Sequence, residues 1–236
     1  MIISLIKIVI SILFTGIMAI AALLTAPFTK KGNFYHGIAK NWGRGILAIC
    51  GVRLKVGGAK LLDPTRNYVY IANHASQFDI PAILAGIPDQ IRIVYKKELE
   101  KIPIFGWALK FNKTYISVDR KHGQRAKQSL EEAASKIRSS ASVILFAEGT
   151  RSPDGKLQPF KRGPFNLAIH AGVPVVPVTI NGSYAILPKH SSRIRPGTIS
   201  ITISDPIYPK GGTGKNTELE LRDKVHDAIL KNLCTT

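Results

Sequence analysis

From Ile2 to Phe28 the chain carries one charged residue, Lys7, in a run dominated by Ile, Leu and Ala. So long an apolar stretch must be buried in a core or placed against lipid. A helix of about 25 residues rises roughly 37 Å, enough to cross a hydrocarbon layer of about 30 Å. No basic segment precedes the run, and it is long for the apolar part of a signal peptide, so a cleaved leader is disfavoured. The run therefore predicts a membrane-attached helix. Spanning the bilayer and lying in one leaflet are both open, because Lys7 can snorkel in either case. Pro27 ends the segment and Lys30-Lys31 forms a basic joint. Asn33 is expected to cap a second helix, in which Phe34, Ile38, Trp42, Ile46 and Ile49 recur at helical spacing among Lys40 and Arg44. This face suits a bilayer interface or a packed core, and the preceding run favours the interface. The flanking Lys30, Lys31, Lys40 and Arg44 predict a catalytic part on the cytoplasmic side of the cell inner membrane.

From Val52 onward the hydrophobic period alternates between two and 3.6. Strands are expected at 52–56, 68–72, 91–95, 114–118, 142–146, 173–180 and 198–204. Helices are expected at 78–87, in pieces over 96–111, at 123–139, at 164–171, and after a cap at Thr217. Segment 173–180 is apolar throughout, as a strand buried on both faces would be. This order predicts an α/β fold: a mixed, largely parallel sheet covered by helices, following an N-terminal membrane-associated helical pair. The division is 1–50 for the two-helix segment and 51–236 for the α/β domain. The glycine-rich 210–216 reads as a loop, too far from a P-loop to count as one.

Charge narrows the partners. There are 33 Lys+Arg against 15 Asp+Glu, a formal +18, which calls for an anionic partner. With the apolar N-terminus, a bilayer surface and phosphorylated small molecules are favoured over nucleic acid. The two cysteines, Cys50 and Cys234, form neither a zinc spacing nor a disulfide framework.

Two loops carry residues suited to chemistry. "NHASQFD", 73–79, follows the strand ending at Ala72 and sets His74 five residues before Asp79. Taken alone, these are a turn residue and a helix cap. Yet loops at the carboxyl ends of strands are where open α/β sheets bind ligands. There, an imidazole can act as a base while a carboxylate on its other nitrogen fixes the tautomer. No separate base is evident for Ser76, so the nucleophile that His74 would activate is a substrate hydroxyl. The second loop, "FAEGTRSPDGKLQPFKRGPF", 146–165, holds Glu148, Gly149, Thr150 and Arg151, with Lys156, Lys161 and Arg162 behind them. Glycine admits close backbone approach and the Arg fork matches phosphate. The loop is thus a solvated basic turn or an anion site. Lys96 and Arg120 follow other strands.

These blocks together resemble the glycerolipid acyltransferase family, most closely its bacterial 1-acylglycerol-3-phosphate acyltransferases. "NHASQFD" matches the family's H-x4-D motif. "YISVDR" (115–120), "FAEGTRS" (146–152) and "VPVVPVTI" (173–180) resemble its later blocks in family order, over about 110 residues. "KKELEKIPIFGW", 96–107, is also similar. Ala147 stands where the family usually has Pro, and Ser117 where a bulkier residue is common. The resemblance implies His74 as general base and Asp79 as its orienting partner. It implies Glu148, Gly149, Thr150 and Arg151 as the acceptor-phosphate block, with Lys96 and Arg120 adding positive charge. Asn73 would position the site and Pro177 would shape a pocket.

The expected activity is transfer of a fatty acyl group from an acyl-CoA or acyl carrier protein thioester to the sn-2 hydroxyl of lysophosphatidic acid. The product is phosphatidic acid for phospholipid biosynthesis. No cofactor, metal or covalent acyl-enzyme is expected, and no nucleic acid partner. The alternatives are acylation of another lysolipid, such as lyso-ornithine lipid or lysophosphatidylcholine, or a non-enzymatic basic protein of the membrane surface.

Overall fold

The computed structural model describes residues 1–28, 32–58, 62–112, 114–118, 134, 135, 137, 141–209 and 214–234. Seven strands form one sheet: β1 (Val52–Gly57), β2 (Val69–Ala72), β3 (Ile91–Lys96), β4 (Ile116–Val118), β5 (Ser142–Phe146), β6 (Val175–Asn181) and β7 (Gly197–Ile203). Their order across the sheet is β1-β7-β6-β2-β5-β3-β4. Every pairing is parallel except β6 with β7. The described helices are α1 (Ile2–Thr25), α2 (Asn33–Cys50), α3 (Asp79–Gly86), α4 (Phe105–Asn112), α5 (Gly163–Ala171), α6 (Ser183–Ile186) and α7 (Lys215–Asn232).

The central strand explains the layering. All four residues of β2 are buried, and they alternate between two cores. Tyr70 and Ala72 join Tyr35, Ile46, Leu84 and Val178 under α1–α4. Val69 and Ile71 join Phe165, Leu221 and Val225 under α5 and α7. A strand buried on both faces reads as continuous apolar sequence, which is why 173–180 and β2 look alike. Next to β6, strand β7 buries Ile199, Ile201 and Ile203 and leaves the residues between them more accessible.

The two N-terminal helices belong to the first of these cores. Gly43 lets α2 press on α3: a Cβ there would lie 2.6 Å from the Pro81 carbonyl oxygen. Along α1 a stripe of small and polar residues faces inward. Ser4 hydrogen-bonds the backbone of Ile194. Lys7 Nζ donates to the Cys50 carbonyl at 2.7 Å. Thr15 Oγ1 accepts the Trp42 indole N–H at 2.9 Å. Ala19 and Ala22 continue the stripe into the core. The outward face is the apolar one, with Ile2, Ile6, Leu13, Ile17 and Leu24 exposed. This reverses the polarity of a helix on a water-facing protein.

Several local expectations need correction. Asn33 does not cap α2. Gly32, in the left-handed region at φ 68°, takes the cap position without a side-chain bond, while the Asn33 amide oxygen accepts from Arg92 at 3.4 Å. The α2 face expected at the bilayer is mostly turned inward, because Trp42 meets α1 and Ile46 is buried; Phe34 remains exposed. Thr217 lies inside α7, whose first turn is closed by Glu218 N–H donating to the Gly214 carbonyl. Lys215 and Asn216, read as loop, are therefore helical. Of the helix expected at 123–139, residues 134, 135 and 137 are helical and the remainder lies outside the described residues.

Candidate active site

The carboxyl ends of β2 and β5 lie side by side, with Ala72 in register with Phe146. The turns that leave them form the site. Asn73 extends β2 by one step with its side chain: its Nδ2 donates to the Ile180 carbonyl at 2.9 Å and its Oδ1 accepts Ile180 N–H at 2.7 Å. This amide takes the place of a ladder residue and fixes the direction in which His74 leaves the sheet.

His74 Nδ1 lies 2.7 Å from Asp79 Oδ2. The same oxygen accepts the backbone N–H groups of Ala75 and Ser76, each at 2.8 Å. Asp79 is thus both a cap for the turn and the partner of the imidazole. It is fully buried, and it sits in the first turn of α3, where the helix dipole favours a negative charge. A carboxylate acceptor assigns the proton to Nδ1. Nε2 then carries the lone pair, and it has no hydrogen-bond partner among the described residues. The ring stacks on Phe146 with centroids 3.9 Å apart and planes at 17°, so it cannot swing away from Asp79 on that side. Ser76 is excluded as a nucleophile, because its hydroxyl is buried and donates to the Leu187 carbonyl at 2.9 Å.

Glu148 ties the two turns together. Its Oε1 accepts His74 N–H at 2.6 Å and its Oε2 accepts Gln158 N–H at 3.2 Å. Burial pushes its carboxyl up to about 7, against the pull of these two donors, and the charges of Asp79 and Asp154 act in the same sense as burial. Two further bonds close the frame: Ser152 N–H to the His74 carbonyl at 2.7 Å, and Lys161 N–H to the Ala147 carbonyl at 2.8 Å. Gly149 has φ 75°, and a Cβ there would fall 2.8 Å from Lys161 Cε and Nζ. The glycine therefore lets the Lys161 chain lie over the loop.

Cations surround this loop unequally. Arg151 is half-buried and has no ion pair or side-chain hydrogen bond among the described residues. Lys189 Nζ reaches Thr150 Oγ1 at 3.5 Å. Lys96, at the end of β3, is half-exposed and pairs with Glu98 at 3.4 Å. Arg162, grouped with the basic loop in the sequence, turns away: it makes a two-pronged pair with Glu218 at 2.6 and 2.9 Å that joins α5 to α7. Arg120 lies outside the described residues. Lys189 and Phe146 were not singled out as site residues from the sequence. Lys189 is far along the chain in a loop without a motif, and Phe146 reads simply as a strand end. Of the other histidines, His36 is buried, His170 bonds the Asn166 carbonyl, and His226 packs on Phe160.

An apolar cavity of about 780 Å³ runs beneath the catalytic turn, lined among others by Ile12, Trp42, Ile46, Phe78, Leu187 and Ile194. Gln77 and Phe78, which lie between His74 and Asp79 in the chain, form part of its wall. Ligand cavities typically hold about 300–1,000 Å³, and this one is apolar where a hydrocarbon chain needs it.

Comparison with known proteins bears on this arrangement. Residues 53–181 match the family model described as Acyltransferase. A 1-acyl-sn-glycerol-3-phosphate acyltransferase of Cocos nucifera is 34% identical over 193 residues, covering 80% of this chain and 61% of that protein. Its Pseudomonas aeruginosa counterpart is 33% identical over 192 residues, covering 79% and 73%. The chain thus spans less than two thirds of the coconut relative and nearly three quarters of the bacterial one. The crystal structure of the 1-acyl-sn-glycerophosphate (LPA) acyltransferase PlsC from Thermotoga maritima superposes with a TM-score of 0.80 at 27% identity, covering 100% of this chain and 97% of that one. The matched span contains both the H-x4-D turn and the anion loop, and the fold agrees over the whole chain: this protein belongs to the acyltransferase family.

Proposed function

We propose that the protein transfers a fatty acyl group from an acyl thioester to the sn-2 hydroxyl of lysophosphatidic acid, giving phosphatidic acid. The observation that carries this reading is the 2.7 Å contact of His74 Nδ1 with Asp79 Oδ2, which leaves Nε2 free as a base. His74 Nε2 removes the hydroxyl proton as the oxygen attacks the thioester carbonyl carbon. The new C–O bond gives a tetrahedral oxyanion. Its collapse breaks the C–S bond, and the imidazolium returns the proton to the departing sulfur. Asp79 stabilises the transient cation. A general base contributes about 10²–10⁴-fold, so orientation of both substrates must supply much of the rest. Arg151, with Lys161 and Lys189 around the same turn, would hold the acceptor phosphate through charge-assisted bonds. Gly149 and Thr150 shape that turn. Glu148 acts from behind it, on the backbone of His74. The apolar cavity would take a hydrocarbon chain.

The inverted polarity of α1 supports membrane attachment along the surface. Its inner stripe is spent on bonds to the domain, and its outer face is apolar along its length, so the helix lies in one leaflet with the site above it. The acceptor then need not leave the bilayer. The cell inner membrane, with the site toward the cytoplasm, is the expected location.

The test is thiol release from acyl-CoA and from acyl carrier protein thioesters, with lysophosphatidic acid, lysophosphatidylcholine or lyso-ornithine lipid as acceptor. Release that depends on lysophosphatidic acid and on His74 supports the reading. A folded His74→Ala variant with substantial turnover would refute the base, and transfer solely to another lysolipid would refute the acceptor.

A further inference from the structure

The apolar face of α1 has a cationic margin that the helix itself does not supply. Lys7 is drawn inward onto the Cys50 carbonyl. In the first turn, Ser4 accepts Ile194 N–H at 3.1 Å and donates to the Ile194 carbonyl at 3.4 Å. Ile194 is buried there, whereas Arg193 and Arg195 on either side of it are exposed. Beside them α1 presents Ile2, Ile3 and Ile6. The loop is held at three further places: Arg195 N–H donates to the Ile186 carbonyl at 3.0 Å, Arg193 N–H to Ser191 Oγ at 3.1 Å, and Lys189 Nζ to Thr150 Oγ1. Neither guanidinium has an ion pair or side-chain hydrogen bond among the described residues. Ser191, Ser192 and Ile194 also line the apolar cavity.

We propose that Arg193 and Arg195 form a headgroup clamp, binding the phosphates of anionic lipids in the leaflet that holds α1. This rests on the membrane reading above. An amphipathic helix sunk to the acyl boundary brings the residues at its edge to headgroup depth. Ile194 is bonded to that helix, so its two neighbours cannot sit far from this level. A guanidinium fork matches phosphate oxygens, and a fixed loop loses little conformational freedom on binding. The same loop continues through Lys189 to the turn carrying Arg151. The clamp therefore holds the membrane surface at a set distance from the acceptor site, beside the cavity that the loop helps to wall.

Each cation at an anionic surface strengthens attachment by about fivefold, so two give roughly 30-fold. The experiment is co-sedimentation of the full-length chain with vesicles of phosphatidylcholine, or of phosphatidylcholine mixed with phosphatidylglycerol, at low and high salt. The wild type is expected to bind both and to prefer the anionic vesicles. Arg193→Gln with Arg195→Gln should lose roughly 30-fold on anionic vesicles, keep its binding to neutral ones, and release thiol normally with a water-soluble short-chain acceptor. Lys224→Gln with Lys231→Gln, on α7 across the sheet, removes the same charge and should change little. An equal loss in that control would overturn the clamp in favour of overall charge. So would a double arginine variant that kept its anionic preference, or one whose only defect was a raised KM for the acyl-CoA or acyl carrier protein donor. A wild type that binds both vesicles equally overturns the clamp alone, whereas one that binds neither overturns the membrane reading with it.

Discussion

Glu148→Gln separates a strut from a ligand. In the wild type each carboxylate oxygen faces a backbone N–H, from His74 and from Gln158. Glutamine has one carbonyl oxygen, so its NH2 must meet the other donor head-on. Losing a hydrogen bond to a charged acceptor costs about 1.5–3 kcal/mol, or roughly 10- to 100-fold. The bond at risk orients His74, so the loss should fall on kcat and leave the KM for lysophosphatidic acid unchanged. Stability provides a second reading. The carboxyl rises from its ordinary 4.5 to about 7. Below 4.5 both folded and unfolded chains hold the proton, and the group contributes nothing. Between 4.5 and 7 the unfolded chain releases it first, so folding stability falls with rising pH by about 1.4 kcal/mol per pH unit, roughly 3 kcal/mol in all. Above 7 the penalty is constant. Glutamine has no such term, so thermal unfolding from pH 5 to 8 should show the wild type losing ground to Glu148→Gln. Parallel stability curves would refute the buried, proton-holding carboxyl. A raised acceptor KM with unchanged kcat would make Glu148 a phosphate-site ligand instead.

Asp79→Asn should lower kcat by at least about 100-fold with little change in either KM, through loss of tautomer control and of cation stabilisation; wild-type kcat in a thiol-release assay would reduce Asp79 to a cap. Arg151→Ala should raise the acceptor KM about 10- to 100-fold, and an unchanged KM together with unchanged kcat would remove it from the site. Gly149→Ala should destabilise the anion loop, since the φ is unfavourable and Lys161 occupies the space; the readout is a lower unfolding temperature together with a raised acceptor KM. Lys7→Met should cost about 1 kcal/mol of stability in detergent, because the Lys7 ammonium neutralises the carboxyl end of α2 at Cys50, with kcat unchanged.

Much of the frame was legible because the relevant signals are local. The bounds of β5 match a β-branched and aromatic run, and His74 with Asp79 stand out as a polar break after a strand. Other features depend on distant partners. Asn33 looks like a cap until Arg92, far along the chain, takes its amide oxygen. Arg162 looks like an anion ligand until Glu218 claims it. Glu148 looks like part of a phosphate loop, yet both its oxygens are occupied by backbone. The stripe Ser4, Lys7, Ser11, Thr15 was present in the sequence at helical spacing. A search for apolar length hides it, since that search averages over the helix and discards the face.

The reversal of β7 leaves one joint of the sheet unlike the others. Parallel neighbours must be reached by a crossover from one end of the sheet to the other, so their connectors are bound to a helix of fitting length. Asn181 of β6 lies opposite Ser200 of β7, and the chain between them leaves and re-enters at the same end. Its span is therefore free of the pitch of the sheet. Residues can be gained or lost there without shifting any ladder, and Leu187, Ser191 and Ile194 on this stretch wall the cavity. Chains built on this plan can change the room for a hydrocarbon tail by editing one loop, while the strand ends that hold the base stay where they are.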